Sequence, residues 1–445
     1  MRPAARRIDV KTPVATKSYM TTIFAPSTGA PPAAIAIIRI SGPEAFSAAR
    51  VLAGTLPEAR EARVRRLREP DSGDHLDSAL VLVFPGPATA TGEDLVELHV
   101  HGGRAVVAAV EAALAKLPGL RRALPGEFTR RALANGIIDL AEAEGLGDLL
   151  SAETELQRRA ALAMANGALS RRIAGWRAAL LALAAQLEAA LDFADEADVP
   201  AVLLDKIRGG AQSVANEMTA MLVAPSVERL RDGIHVVLAG PPNSGKSTLL
   251  NALAQREAAI VSPLAGTTRD RIEVAVARDG VPFVLTDTAG LRTSTDDVIE
   301  RIGIARADEA IAAADFVLWL GDDAPTMSNA LWLHARADLP DRRTPPVGTI
   351  ASVSIADDGS VENLWQEIVA RSSALIPKPG DLAINERQST HCREAVDALV
   401  DVAVNDEIIV ADALRRANIA LARITGDIGA ESMLDALFGK FCIGK

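Results

Sequence analysis

Cysteine is nearly missing: the 445-residue chain carries two, Cys392 and Cys442. Two thiols so far apart in sequence cannot build a disulfide framework or a zinc site, which fits a reducing, cytoplasmic setting. No run of about 18 uninterrupted apolar residues occurs, so nothing reads as a membrane span. The opening stretch MRPAARRIDVKTPVATKSY is basic but has no apolar h-region, which excludes a secretory signal. It shares the basic character of an organelle transit peptide. Patterned sequence begins only at Met20, however, so residues 1–19 read either as a disordered extension or as the product of a misassigned start. Positive charge is also in deficit: 47 Lys and Arg stand against 58 Asp and Glu, a net charge of -11. That excludes a general nucleic-acid coat and leaves room only for a local basic patch gripping a folded RNA. Internal repeats and low-complexity tracts are missing too.

What the chain does have is apolar content of 49%, and a length beyond what one core supports, so about two to four domains are expected. Its texture changes three times. Over 20–137, short apolar runs such as AAIAIIRIS and ALVLVFPGP alternate with Gly/Pro turns and one helical stretch, an α+β pattern. Over 138–232 the chain is Ala/Leu-rich at helical spacing. From 233 to 377 strand-like runs (IHVVLAG, RIEVAVARDG, VPFVLTDTAG, FVLWLGD) alternate with helical segments, an α/β nucleotide-domain layout. Asp279-Gly280 between two alternating runs predicts a tight hairpin. Helical texture returns over 378–445, so the simplest organisation is one all-α domain interrupted by an inserted α/β unit.

The sharpest motif is GPPNSGKST, residues 240–248, behind a strand-like run and ahead of a helical one. Such a loop cradles phosphate oxygens on successive backbone N–H groups and the helix N-terminus. Asn243, Ser244, Gly245, Lys246, Ser247 and Thr248 therefore form a candidate nucleotide loop. Lys246 is suited to the β- and γ-phosphates and the Ser247 hydroxyl to magnesium. Downstream, AGTTRD (265–270) supplies hydroxyls to a mobile loop, and DTAG (287–290) brings Asp287, Thr288, Ala289 and Gly290 toward a metal and the γ-phosphate. The order of the three elements is similar to that of translation-factor-like, Ras-like GTPases. The base-reading element is altered: where N-K-x-D is expected, the chain has Ala335, Arg336, Ala337 and Asp338. Asp338 can accept two guanine N–H groups and the Arg336 stem can cover the base. Ala335 cannot tie the loop together, and Ser354 stands in a shortened later element, SIA.

The chain ends in FCIGK, where termini normally fray unless tied down. A small apolar anchor and a docking tail are both compatible with those residues.

Taken together, IIRISGPEAF, FPGPATATGEDLVELHVHGG, LPGEFTRRALANGIIDLAEAEGLGDLLSAET, LDFADE, the GTPase elements with ERIGIARA, and LRRANIALARITGD leading to FCIGK resemble the bacterial MnmE (TrmE) family of tRNA-modification GTPases. The resemblance runs from Met20 to Lys445. It implies a multidomain protein: an α+β N-terminal domain that binds tetrahydrofolate and dimerises, a discontinuous helical domain, and an inserted P-loop GTPase domain. It further implies a homodimer acting with an FAD-containing partner, MnmG. Together such pairs place a carboxymethylaminomethyl or aminomethyl group on carbon 5 of the wobble uridine of certain tRNAs, using a one-carbon tetrahydrofolate and NADH. GTP hydrolysis stimulated by potassium and by G-domain dimerisation gates the reaction.

Carried over by position, the resemblance assigns Asn243, Ser262, Leu264 and Thr267 to potassium, and Ser247 and Thr268 to magnesium. Glu300 takes the place of the residue that orients the attacking water; without the resemblance it reads as a solvated helix-start Glu. Arg39, Glu97 and Lys445 match folate contacts, with Ile137 replacing the usual Lys and APPAA replacing the usual glycines. Physically, a carboxylate suits the amino-pyrimidine edge of a pterin, and cations suit glutamate carboxylates. Cys442 is a nucleophile or a general acid if a neighbouring Lys favours its thiolate. His99 and His101 lie on one face of a strand and take no catalytic role. RVRRLR (63–68) and Arg130-Arg131 are basic clusters available to tRNA phosphate. Two other classes remain open at this point: a regulatory assembly GTPase whose flanking domains only bind, and a degenerate GTPase scaffold. Arg39, Glu97 and FCIGK argue against the first, and Lys246, Ser247, Thr268, Asp287 and Glu300 against the second.

Overall fold

The computed structural model describes residues 21–192, 201–255, 258–259, 273–288, 305, 307–342, 344–378, 380–428, 434, 437–439, 441 and 444. The chain divides into two compact units, one running to Gly147 and resuming at Thr425, the other spanning Asp148–Ile424.

The first unit carries β1 (Thr22–Pro26), β2 (Ile35–Ser41), α1 (Ala45–Ala53), β3 (Arg63–Arg68), β4 (His75–Phe84), β5 (Leu95–His101), α2 (Arg104–Ala115), β6 (Leu120–Arg122) and α3 (Glu127–Ala134). The division falls within α4 (Leu140–Ser151). The strands form one sheet in the order β3-β4-β5-β2-β1-β6, antiparallel except for the β1/β6 pair. Strict alternation builds it. In β2, Ala36, Ile38 and Ile40 are buried while Ile37 and Arg39 are half-buried on the other face. The buried face packs with Leu98, Val81, Leu52, Val110 and Leu114 into a core covered by α1 and α2.

A smaller cluster explains where the C-terminal segment goes. Phe438 and Phe441, with ring centroids 5.7 Å apart, pack with Ala143 and are flanked by Leu133, Ile138 and Leu146. Gly126 permits the approach: at φ +65° it has no Cβ, and one placed there would lie 2.7 Å from the Phe438 carbonyl oxygen. Residues 138–147 and the described residues from Thr425 onward fall in this first compact unit, where Phe438 and Phe441 find their core.

In the second unit, α5 (Glu155–Ala165) opens on a capping box of Thr154 and Gln157. It is followed by α6 (Ala168–Asp192), α7 (Ala201–Val223) and α8 (Val227–Asp232). The α/β part comprises β7 (Ile234–Ala239), α9 (Lys246–Gln255), β8 (Ala258–Ala259), β9 (Glu273–Arg278), β10 (Val281–Asp287), β11 (Phe316–Trp319), β12 (Ala330–Ala335), β13 (Ala351–Val353) and α10 (Asp358–Ser372). Helices α11 (Glu386–Val400) and α12 (Glu407–Thr425) follow. Helix α7 packs on both α6 and α11, and Arg177 of α6 donates to Asn418 of α12 at 3.0 Å, so helices before and after the α/β part share one layer. The chain leaves and returns at one place: the Val227 N–H donates to the Ile384 carbonyl at 3.3 Å, and the Glu386 N–H to the Glu228 carboxylate at 2.8 Å. An inserted domain requires that closure.

The second sheet runs β13-β12-β11-β7-β10-β9-β8, parallel from β13 to β10 and antiparallel beyond. The predicted hairpin is present, with Asp279 at φ +50° and Gly280 at φ +80° joining paired Arg278 and Val281. Phe283 and Trp365 meet edge to face at 5.2 Å in its core. No described helix is long and apolar enough to cross a membrane.

Candidate functional site

Strand β7 lies between β10 and β11, so the loop that follows it opens at the carboxyl edge of the sheet, where ligands bind in this class of fold. Asn243 (φ +62°) and Gly245 (φ +98°) turn that loop back on itself before α9 begins at Lys246. Such alternation aims backbone N–H groups into one concavity. Lys246 is buried, and its ammonium donates to the carbonyls of Gly240 at 3.1 Å and Pro241 at 2.7 Å. The Ser247 hydroxyl donates to the Asp287 carboxylate, which brings two hard oxygen ligands together at the end of β10. Thr288 is spent on structure: its hydroxyl donates to the Leu238 carbonyl at 2.8 Å. The buried Ser244 hydroxyl has no hydrogen-bond partner among the described residues.

Opposite the loop stands the element after β12. Asp338 accepts the Ser354 hydroxyl on Oδ1 at 2.8 Å, while the Ser354 oxygen accepts the Ala356 N–H at 3.1 Å. Arg336, at φ +58°, donates from Nη1 to the Asn243 carbonyl at 3.3 Å. Its stem passes Gly245, where an added Cβ would lie 3.7 Å from Arg336 Cγ. The two elements enclose a pocket of about 560 Å³ lined by residues 243–249 and by Ala335, Arg336, Asp338, Leu339, Val353 and Ile355. That is the size of a small-ligand site. One wall offers phosphate-binding chemistry and the other a carboxylate for a base edge.

In the first unit, Arg39 and Glu97 are cross-strand partners on β2 and β5, joined Nη2 to Oε1 at 2.9 Å. Glu97 Oε2 meets His99 Nε2 at 3.2 Å, and the Arg39 guanidinium lies 5.7 Å from the centroid of the Phe128 ring. His101 Nδ1 pairs with Asp77 at 2.7 Å. Burial would push the Asp77 carboxyl up, but hydrogen bonds from the His101 N–H and ring hold it below its usual range. Both histidines are thus engaged with carboxylates, and no cluster of three or more metal-ligating side chains occurs among the described residues. Ile137 is partly exposed and packs where a Cβ on Gly92 would stand 3.1 Å away.

One basic cluster needs correction. Arg131 is fully buried and donates to Glu93 at 2.9 Å and Glu127 at 3.2 Å, so it cannot reach RNA phosphate. Arg63, Arg66 and Arg68 are exposed on β3, the edge strand. The sequence reading missed the Arg131–Glu93–Glu127 network and the Phe128 platform; the only sign of them was charge inside apolar-patterned segments. Ser262, Leu264, Thr267, Thr268, Ala289, Gly290, Glu300, Cys442, Lys445 and residues 1–19 lie outside the described residues.

Comparison with known proteins agrees with this architecture. Residues 22–137 match the family model for the GTP-binding protein TrmE N-terminus, and residues 140–442 match that for the MnmE helical domain. A tRNA modification GTPase MnmE of Erythrobacter litoralis is 54% identical over 431 residues, covering 96% of this chain and all of that one. Proteins of the same name from Novosphingobium aromaticivorans and Rhizorhabdus wittichii are each 53% identical, covering 95% of this chain and 99% and 96% of theirs. Among solved structures, the G domain of the T. maritima FeoB iron transporter is 22% identical over 31% of this chain and 98% of its own, with a TM-score of 0.24. On the strength of the family models and the full-length relatives, the chain belongs to the MnmE family of tRNA modification GTPases.

Proposed function

We propose that this GTPase hydrolyses GTP in a potassium-stimulated cycle and that, with an FAD-dependent MnmG partner, it modifies carbon 5 of the wobble uridine in certain tRNAs. The added group is carboxymethylaminomethyl or aminomethyl, and its one-carbon unit comes from a tetrahydrofolate. The observation that carries the reading is the single pocket that joins the phosphate loop to Asp338.

In this reading Lys246 exchanges the carbonyls of Gly240 and Pro241 for the β- and γ-phosphates, and the buried Ser244 hydroxyl gains a phosphate partner. The adjoining oxygens of Ser247 and Asp287 suit magnesium, with Thr268 completing the protein ligands. Asn243, Ser262, Leu264 and Thr267 would hold potassium. When bound, the two cations offset charge that builds on the phosphates in the transition state. Glu300 orients the attacking water, and Asp338, steadied by Ser354, reads the guanine edge.

Arg39 and Glu97 take the folate with Lys445, and Phe128 offers an apolar face beside them. Cys442 serves as nucleophile or general acid. The protein works as a homodimer through its N-terminal domain, with FAD and NADH bound by the partner. The test is hydrolysis by the purified protein in potassium against sodium buffer, with ATP as control. Potassium-stimulated, GTP-specific turnover supports the reading, and equal rates in both salts or with ATP reject it.

A further inference from the structure

Position 335 departs from the guanine-reading pattern, since an Ala methyl group makes no hydrogen bond. The loop carrying Asp338 is nonetheless closed at both ends. His334, buried near the end of β12, meets the Arg342 carbonyl oxygen from Nε2 at 2.6 Å. A carbonyl only accepts, so Nε2 carries the proton. Arg342 answers in the reverse direction, donating from Nε to the Ala335 carbonyl at 2.9 Å. These two bonds clasp the segment between 335 and 342. From Nη2 the same guanidinium donates to Asp322 Oδ1 at 2.6 Å, which ties the clasp to the loop after β11. Hydrogen bonding from Arg342 is the main reason that the Asp322 carboxyl sits below its usual range.

We infer that Arg342, oriented by Asp322, is a positioning residue for guanine recognition, supplying through the Ala335 carbonyl the tie that the side chain at 335 cannot make. The inference rests on the proposed nucleotide reading. Arg342 does not line the pocket, so it acts only through the loop. Asp322 is 72% exposed, so the ion pair itself contributes little energy, and what it fixes is the direction of the fork.

The experiment compares GDP and IDP binding by calorimetry, because IDP lacks the 2-amino group that Asp338 reads. For Arg342→Met, GDP affinity is expected to fall about tenfold, with a smaller fall for IDP, so that the preference for GDP narrows. Arg342→Lys restores part of the preference, and Asp322→Ala narrows it to a lesser degree. Parallel losses for both nucleotides, or an unchanged preference, overturn the inference. If Arg342→Met does not fold, the exposed Asp322→Ala variant decides by the same criterion. Wild-type protein that binds neither nucleotide overturns the nucleotide reading itself, which is a separate failure.

Discussion

The carbonyl oxygen of Gly444 accepts the Ser27 hydroxyl at 2.8 Å, where the chain leaves β1. Gly444 sits there at φ +99°, and a Cβ on it would stand 1.8 Å from the Pro26 carbonyl oxygen. No L side chain fits that spacing, so the glycine before the terminal lysine is a docking requirement. The Ser27 N–H in turn donates to the Ile37 carbonyl at 2.7 Å, two positions from Arg39 on β2, so Gly444 is held by a residue that itself bonds the strand carrying Arg39.

Gly444→Ala is accordingly expected to unseat the tail while leaving the G domain intact. tRNA modification should fall to a few per cent or less, and GTP turnover should stay within about twofold of wild type, because the affected backbone lies at a chain end. Both are read in one reconstituted assay with the proposed MnmG partner. Full modification by the variant would return the tail to the role of a packing anchor.

Asp338→Asn tests the proposed base-reading wall. The substitution replaces a carboxylate acceptor by an amide that presents a donor, so guanine loses a partner while xanthine, with a carbonyl at that edge, gains one. GTP affinity is expected to drop on the order of 100-fold or more, and XTP to be preferred. Unchanged GTP preference would mean the base is read by another group. The Ser354 hydroxyl can still bond the Asn oxygen, so the loop should keep its shape.

How much of this was legible beforehand depends on range. The phosphate loop, the Asp279-Gly280 hairpin and the inserted α/β unit rest on local signals: glycines at fixed spacing, a turn pair and a change of period. The packing partner of residues 138–147 was not readable, because a helical pattern says which face is apolar and not whose core it meets. Phe438 and Phe441 decide that, far away in sequence. Arg131 was hidden for the same reason: next to Arg130 it reads as a basic patch, and only Glu93 and Glu127, brought in by tertiary folding, turn it inward. Arg342 follows no motif and is recognised only by the carbonyl it reaches.

That buried network gives a stability prediction. Arg131→Met leaves Glu93 and Glu127 in a site where water is scarce, and removing one partner of a buried pair costs about 3–5 kcal/mol. Denaturant unfolding should show the loss. The pH dependence has a defined sign. Burial would raise the Glu127 carboxyl, but the Arg121 and Leu124 hydrogen bonds and the charges of Arg121 and Arg131 hold it below its usual 4.5. Its contribution is therefore complete above that value and is lost as pH falls through the depressed folded value. Wild-type stability should fall in that acidic window, and Glu127→Gln should flatten the slope there.

Cys392 offers the last test. It is buried on α11, and burial pushes its thiol up to about 12 despite the nearby Arg393 charge. At pH 8 its thiolate is on the order of one part in ten thousand, and reagents meet a closed helix face. In a Cys442→Ser background, iodoacetamide should leave native Cys392 unmodified over an hour and label it fully in denaturant, read by peptide mass spectrometry. Rapid labelling of the native protein would show that α11 opens locally, because neither the thiol's acidity nor its exposure in the folded helix permits that rate.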